Sequence, residues 1–71
     1  MTDKGVKMAQ QYYECMDKVI EQIRWSYKIG TIGTIDMDTC GEIAEQVLTE
    51  DEYMACTEYA NGFIAEIYQN V

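Results

Sequence analysis

VKMAQQYYECMDKVIEQIRWSY, residues 6–27, decides the fold. Its apolar residues Val6, Ala9, Tyr13, Met16, Ile20, Ile23 and Tyr27 recur at alternating intervals of three and four. On a helix these positions stack along one face, as the a and d positions of successive heptads do. A second row, Met8, Tyr12, Cys15 and Val19, widens that face beyond a two-helix seam. The spacing predicts a helix from about residue 4 to 29, roughly 40 Å long at 1.5 Å per residue. Thr2 or Asp3 is placed to cap its start, and Asp3 and Lys28 suit the two ends of its dipole. The rest of a 71-residue chain is too short to cover such a helix to its ends. A homodimer through Ala9, Tyr13, Met16, Ile20, Ile23 and Tyr27 is therefore expected.

Working outward, Gly30-Thr31-Ile32-Gly33-Thr34 ends the first helix, with Gly30 placed as the left-handed residue beyond its C-terminus. Asp36 or Asp38 then caps a shorter helix carrying Met37, Cys40, Ile43, Ala44, Val47 and Leu48 on one side. Thr49-Glu50-Asp51-Glu52 follows, with Thr49 three residues before Glu52 as a capping box and three carboxylates at a helix N-terminus. A third helix is predicted from Tyr53 through Cys56, Ala60, Phe63, Ile64 and Ile67 toward Val71. Asn61-Gly62 in its middle either breaks it or marks a close helix contact. The expectation is one all-α domain over residues 1–71, a long N-terminal helix plus two shorter ones, as a three-helix bundle or helical hairpin.

With 48% apolar residues the chain has too much to bury for intrinsic disorder, and it has no proline. Cys15, Cys40 and Cys56 are odd in number and unaccompanied by histidine, which suits neither a zinc site nor a disulfide framework. They read as reduced, buried thiols of a cytoplasmic protein. The polar start Thr2-Asp3-Lys4-Gly5 does not resemble a signal peptide. No apolar run approaches the roughly 20 residues that span a bilayer, so no membrane association is expected.

Asp36-Met37-Asp38-Thr39-Cys40-Gly41-Glu42-Ile43 resembles the start of an EF-hand loop, with Asp36, Asp38, Gly41 and Ile43 where that motif places its residues. Cys40 stands at the fifth position and Val47 at the twelfth, where a bidentate Glu should close the site. A helix N-terminus with acidic neighbours explains the stretch, and no metal or cofactor is expected. Without histidine, a nucleophile–base pair or a phosphate-cradling glycine loop, the chain has no catalytic constellation and no enzyme is expected.

The charge is segregated. All five basic residues, Lys4, Lys7, Lys18, Arg24 and Lys28, lie in the first 28 positions, and residues 29–71 carry nine carboxylates and no cation. A formal charge of −8 disfavours direct binding of nucleic acid. It instead steers a basic partner toward the acidic half. The candidate partner-binding residues are Asp36, Asp38, Glu42, Glu45, Glu50, Asp51, Glu52, Tyr53, Glu58 and Tyr59, carboxylates interleaved with tyrosines. Carboxylates held on rigid helices imitate duplex phosphates, so the expected partner is a basic, nucleic-acid-binding surface of another protein. A second candidate is the aromatic and basic end of helix one, Arg24, Trp25, Tyr27 and Lys28, which would hold a nucleotide by stacking.

In size, acidity and aromatic–acidic mixing the chain looks like the small phage-encoded inhibitors called anti-CRISPR proteins. Several of those are acidic decoys that occupy a nucleic-acid channel, which implies an inhibitor of a host CRISPR effector. Trp25-Ser26-Tyr27-Lys28-Ile29-Gly30 and Leu48-Thr49-Glu50-Asp51-Glu52-Tyr53 are similar to the W/Y-K-x-G and I/L-T-x-E-x-Y elements of short XkdX-like phage tail proteins. That second resemblance implies a small phage structural or assembly protein.

Overall fold

A computed structural model describes residues 3–71, with side chains from Val6 onward. It is all-helical: α1 (Asp3–Lys28), α2 (Met37–Val47), α3 (Glu50–Tyr59) and α4 (Phe63–Asn70). The cap expected from Thr2 or Asp3 lies outside the described side chains. Helix α1 sets the long dimension: its 26 residues span about 39 Å, against an overall extent of 42 × 21 × 17 Å. The other three helices lie against it, and α2 also packs on α3 and α4.

Three of the helix ends have a local cause in their hydrogen bonds. Helix α1 closes in a Schellman motif: the N–H of Gly30 donates to the carbonyl of Tyr27 (3.2 Å) and that of Thr31 to the carbonyl of Ser26 (2.9 Å). Gly30 takes the left-handed conformation this requires, with φ of 81°. Asp36 caps α2, its Oδ1 accepting from the N–H and the hydroxyl of Thr39, both at 2.8 Å. The capping box of α3 forms: Glu52 N–H donates to Thr49 Oγ1 (3.1 Å), and Thr49 N–H donates to Glu52 Oε1 (3.0 Å).

The predicted third helix is two. Ala60 N–H still donates to the carbonyl of Cys56, but Phe63 N–H donates to that of Ala60 (3.2 Å), a turn that redirects the chain at Asn61-Gly62. Gly62 is a breaker and not a contact point, since a Cβ there would meet nothing within 4 Å. Beyond the break, Phe63 and Ile67 of α4 join Cys56 of α3 in the core.

The core is built from Tyr12, Cys15, Met16, Val19, Ile20 and Ile23 of α1 with Cys40, Ile43, Ala44, Leu48, Cys56, Phe63 and Ile67. This corrects the expected seam. Met16, Ile20 and Ile23 are buried against the chain's own helices, while Tyr13 (59% exposed) and Tyr27 (54%) stand free at either end and Ala9 is half-buried. The row Tyr12, Cys15 and Val19 is as deeply buried as the seam itself, so the apolar face of α1 is wide enough for α2–α4 to occupy its middle. No helix among the described residues is long and apolar enough to cross a membrane.

Candidate functional site

Two surfaces gather the residues singled out by sequence. The first is the outer side of α2 and α3. Asp38, Glu42 and Glu45 follow intervals of four and three along α2, and all three are exposed, so they form one row down the face opposite Cys40, Ile43 and Ala44. On α3 Glu50, Asp51, Met54 and Glu58 are exposed on the side away from buried Cys56, and Tyr59 is exposed at the helix end. Where the two helices meet, Glu45, Leu48, Glu50, Tyr53 and Met54 line one shallow hollow, apolar at its floor and flanked by two carboxylates. Leu48 and Tyr53 are also the N′ and N4 positions of α3, where a hydrophobic staple sits.

The other acidic-half candidates have structural occupations. Asp36 is the cap of α2, and the Thr39 N–H and hydroxyl on its carboxylate hold it below its ordinary 3.8. Glu52 closes the capping box, and the Thr49 N–H holds it below its ordinary 4.5. Its other oxygen accepts from the Cys15 thiol at 3.8 Å. Tyr53 is half-buried, edge-on to Phe63 with ring centroids 6.4 Å apart. Tyr59 stacks on Tyr12 at 4.8 Å. Glu66 lies apart on α4, by Tyr13 and Asn70. The EF-hand-like stretch is not a loop: residues from Met37 to Val47 are helical, so their oxygens point outward around an axis and cannot converge on one cation.

The second surface is the outer face of α1 near its C-terminus, where Lys18, Glu21, Gln22, Arg24, Trp25 and Lys28 line a shallow groove. Trp25 is 53% exposed, and Lys28 Nζ lies 6.0 Å from its ring centroid, within cation–π reach. Tyr27 does not join them, because residues two apart on a helix face different ways. Arg24 is partly committed: it donates to the backbone carbonyl of Asn70 at 2.9 Å. Helix α4 has no basic residue in its own last turn, so Arg24 supplies the cation its C-terminus favours. Periodicity within α1 could not show this partner, 46 positions away.

The three thiols are buried and free. Burial raises the pKa of each, and Cys15, next to Cys56 and Glu52, is pushed up to about 12. A protonated thiol is a poor nucleophile and a poor metal ligand. Among the described residues no three His, Cys, Asp or Glu side chains cluster around a metal-sized space. Nor is any buried side-chain nitrogen or oxygen left without a partner. The arrangement presents surfaces for contact. No family model matches the chain, and no curated protein or solved structure shows significant similarity to it.

Proposed function

We propose that this is a non-enzymatic, homodimeric interaction protein whose α2–α3 face occupies a basic, nucleic-acid-binding surface of another protein. The observation that carries this reading is the exposed row Asp38, Glu42 and Glu45 beside Glu50, Asp51 and Glu58, with no Lys or Arg between residues 29 and 71. Along α2 the row places a charge every ~5 Å of axis, against one every ~3.4 Å along a strand of DNA. The hollow between Glu45 and Glu50 adds Leu48, Tyr53 and Met54 as apolar surface for the stem of an arginine or lysine. An inhibitor of a CRISPR effector is the member of this class that the sequence resemblance favours.

The test is a variant combining Glu42→Lys, Glu45→Lys and Glu58→Lys, all exposed and outside the caps. Reversal at Glu50–Glu52 would be uninformative, since it would also dismantle the capping box. Tagged protein in a bacterial lysate should retain a nucleic-acid-binding partner at low salt and release it at high salt. The variant should lose that partner while keeping its far-UV circular dichroism. Capture that is indifferent to both salt and charge reversal would refute the proposal.

A second reading has its own observation, the Lys28 ammonium over the exposed Trp25 ring. A nucleotide stacked on that indole would quench its emission, and Trp25 is the chain's one tryptophan. Unchanged fluorescence across the common nucleotides would dispose of it.

A further inference from the structure

The apolar side of α1 continues past the bundle that covers it. Tyr12 is the first α1 residue in the core, yet the row of Tyr12 and Cys15 runs on to Met8, and that of Met16 and Tyr13 runs on to Ala9 and Val6. Val6 is 43% and Met8 45% exposed. At the step where the bundle stops, Tyr59 lies on Tyr12 and is itself 45% exposed.

We propose that this overhang is covered by the same overhang of a second copy, the two α1 helices running antiparallel about a two-fold axis between Lys7 and Met8. Under that symmetry the numbers of facing residues sum to about 15, so Val6 meets Ala9 twice, with Met8 at the flank of that contact. Small Ala9 lets the helices approach, and each N-terminal turn reaches the other copy's Tyr12–Tyr59 step. The inference rests on the homodimer reading and gives it an interface different from the heptad seam, whose middle is already buried.

Charge selects both the occupant and its direction. Helix α3 runs antiparallel to α1, since Tyr12 meets Tyr59 and Cys15 meets Glu52. Its C-terminus therefore ends at the step. That end has exposed Glu58 and no basic residue in its last turn, so its carbonyls favour a cation. An antiparallel copy delivers the N-terminal end of its α1 there, on a segment whose charged residues up to Tyr13 are Asp3, Lys4 and Lys7, a net positive charge. A parallel copy would set like ends together. The overhang carries no carboxylate from residue 4 to 13, so two copies of a −8 chain meet there with little repulsion. Roughly three turns from each copy lie near the lower bound of specific interfaces, about 1,000 Å² in total, so the dimer should depend on concentration.

Sedimentation equilibrium of the full chain should show a mass rising with concentration from 8.2 kDa toward twice that value. Met8→Glu, and independently Val6→Glu, should weaken the dimer by about tenfold or more with unchanged circular dichroism. Under oxidation, Val6→Cys mixed with Ala9→Cys should give a disulfide-linked dimer, while Tyr13→Cys alone should give none. A dimer indifferent to Met8→Glu and Val6→Glu, or one cross-linked through Tyr13→Cys, would overturn this interface and leave the homodimer standing. A single 8.2 kDa species at every concentration would overturn both, and would assign the strip to some other protein.

Discussion

Glu52 does two jobs with one carboxylate: one oxygen takes the Thr49 N–H and the other takes the Cys15 thiol. It ties the start of α3 to α1 through a group at the rim of the core. Thr49→Ala removes half of the capping box and should cost about 1 kcal/mol, a fall of about 4–8 °C in Tm for a domain of this size. The pH dependence follows from the same bonds. Asp36 and Glu52 are held below their ordinary 3.8 and 4.5, so their contribution is complete above those values and is lost as pH falls through the lowered ones. Thermal melts taken from neutral pH downward should show stability declining only in that acid window, with a shallower decline in Asp36→Asn. The thiols titrate in the opposite sense. Neutral-pH alkylation of Cys15, Cys40 and Cys56 should proceed only as fast as the protein opens, because burial keeps all three protonated and covered.

At the scale of the element, two glycines that look alike in sequence differ in what they permit. Gly30 has φ of 81° in the Schellman turn, and a Cβ there is strained by about 1–2 kcal/mol although nothing crowds it. Gly62 caps α4 with φ of −102°, open to any residue. Gly30→Ala should therefore lower Tm measurably and Gly62→Ala should leave it nearly unchanged, a pair readable in one calorimetric series. Helix α4, with eight residues, is too short to be stable alone. It is held by Phe63 and Ile67, both almost fully buried, and by the Arg24 cation at its end. Phe63→Ala should cost about 3–5 kcal/mol. That is a large part of the roughly 4–10 kcal/mol available to a chain of this length, so urea unfolding should find the variant marginal or unfolded.

For the whole molecule, segregation of charge along the chain becomes segregation in space. The cations lie on α1, and the exposed carboxylates of α2 and α3 project from the side of those helices away from the core. Like charges on one face repel, and salt screens them within about 8–10 Å at physiological strength. Added sodium chloride should therefore raise Tm modestly, while weakening association with any basic partner. The combined Glu42→Lys, Glu45→Lys and Glu58→Lys variant should melt higher at low salt and respond less to added salt.

The helical class, the extent of α1, the glycine stop, the Thr49–Glu52 box and the buried cysteines were all legible in the sequence. Each is written in residues within a few positions of one another, and local hydrogen bonds and helical periodicity act over that range. The sequence left Asn61-Gly62 undecided between a break and a contact. It also drew a seam along α1 without saying what would fill it. Tertiary structure decided both, because only packing shows that Phe63 and Ile67 must turn back onto α1 and that α2–α4 fill the middle of the seam. The Arg24–Asn70 bond belongs to the same class. An apolar stripe fixes which side of a helix is buried, whereas the geometry of the remaining helices fixes how much of that stripe they reach and what stays exposed.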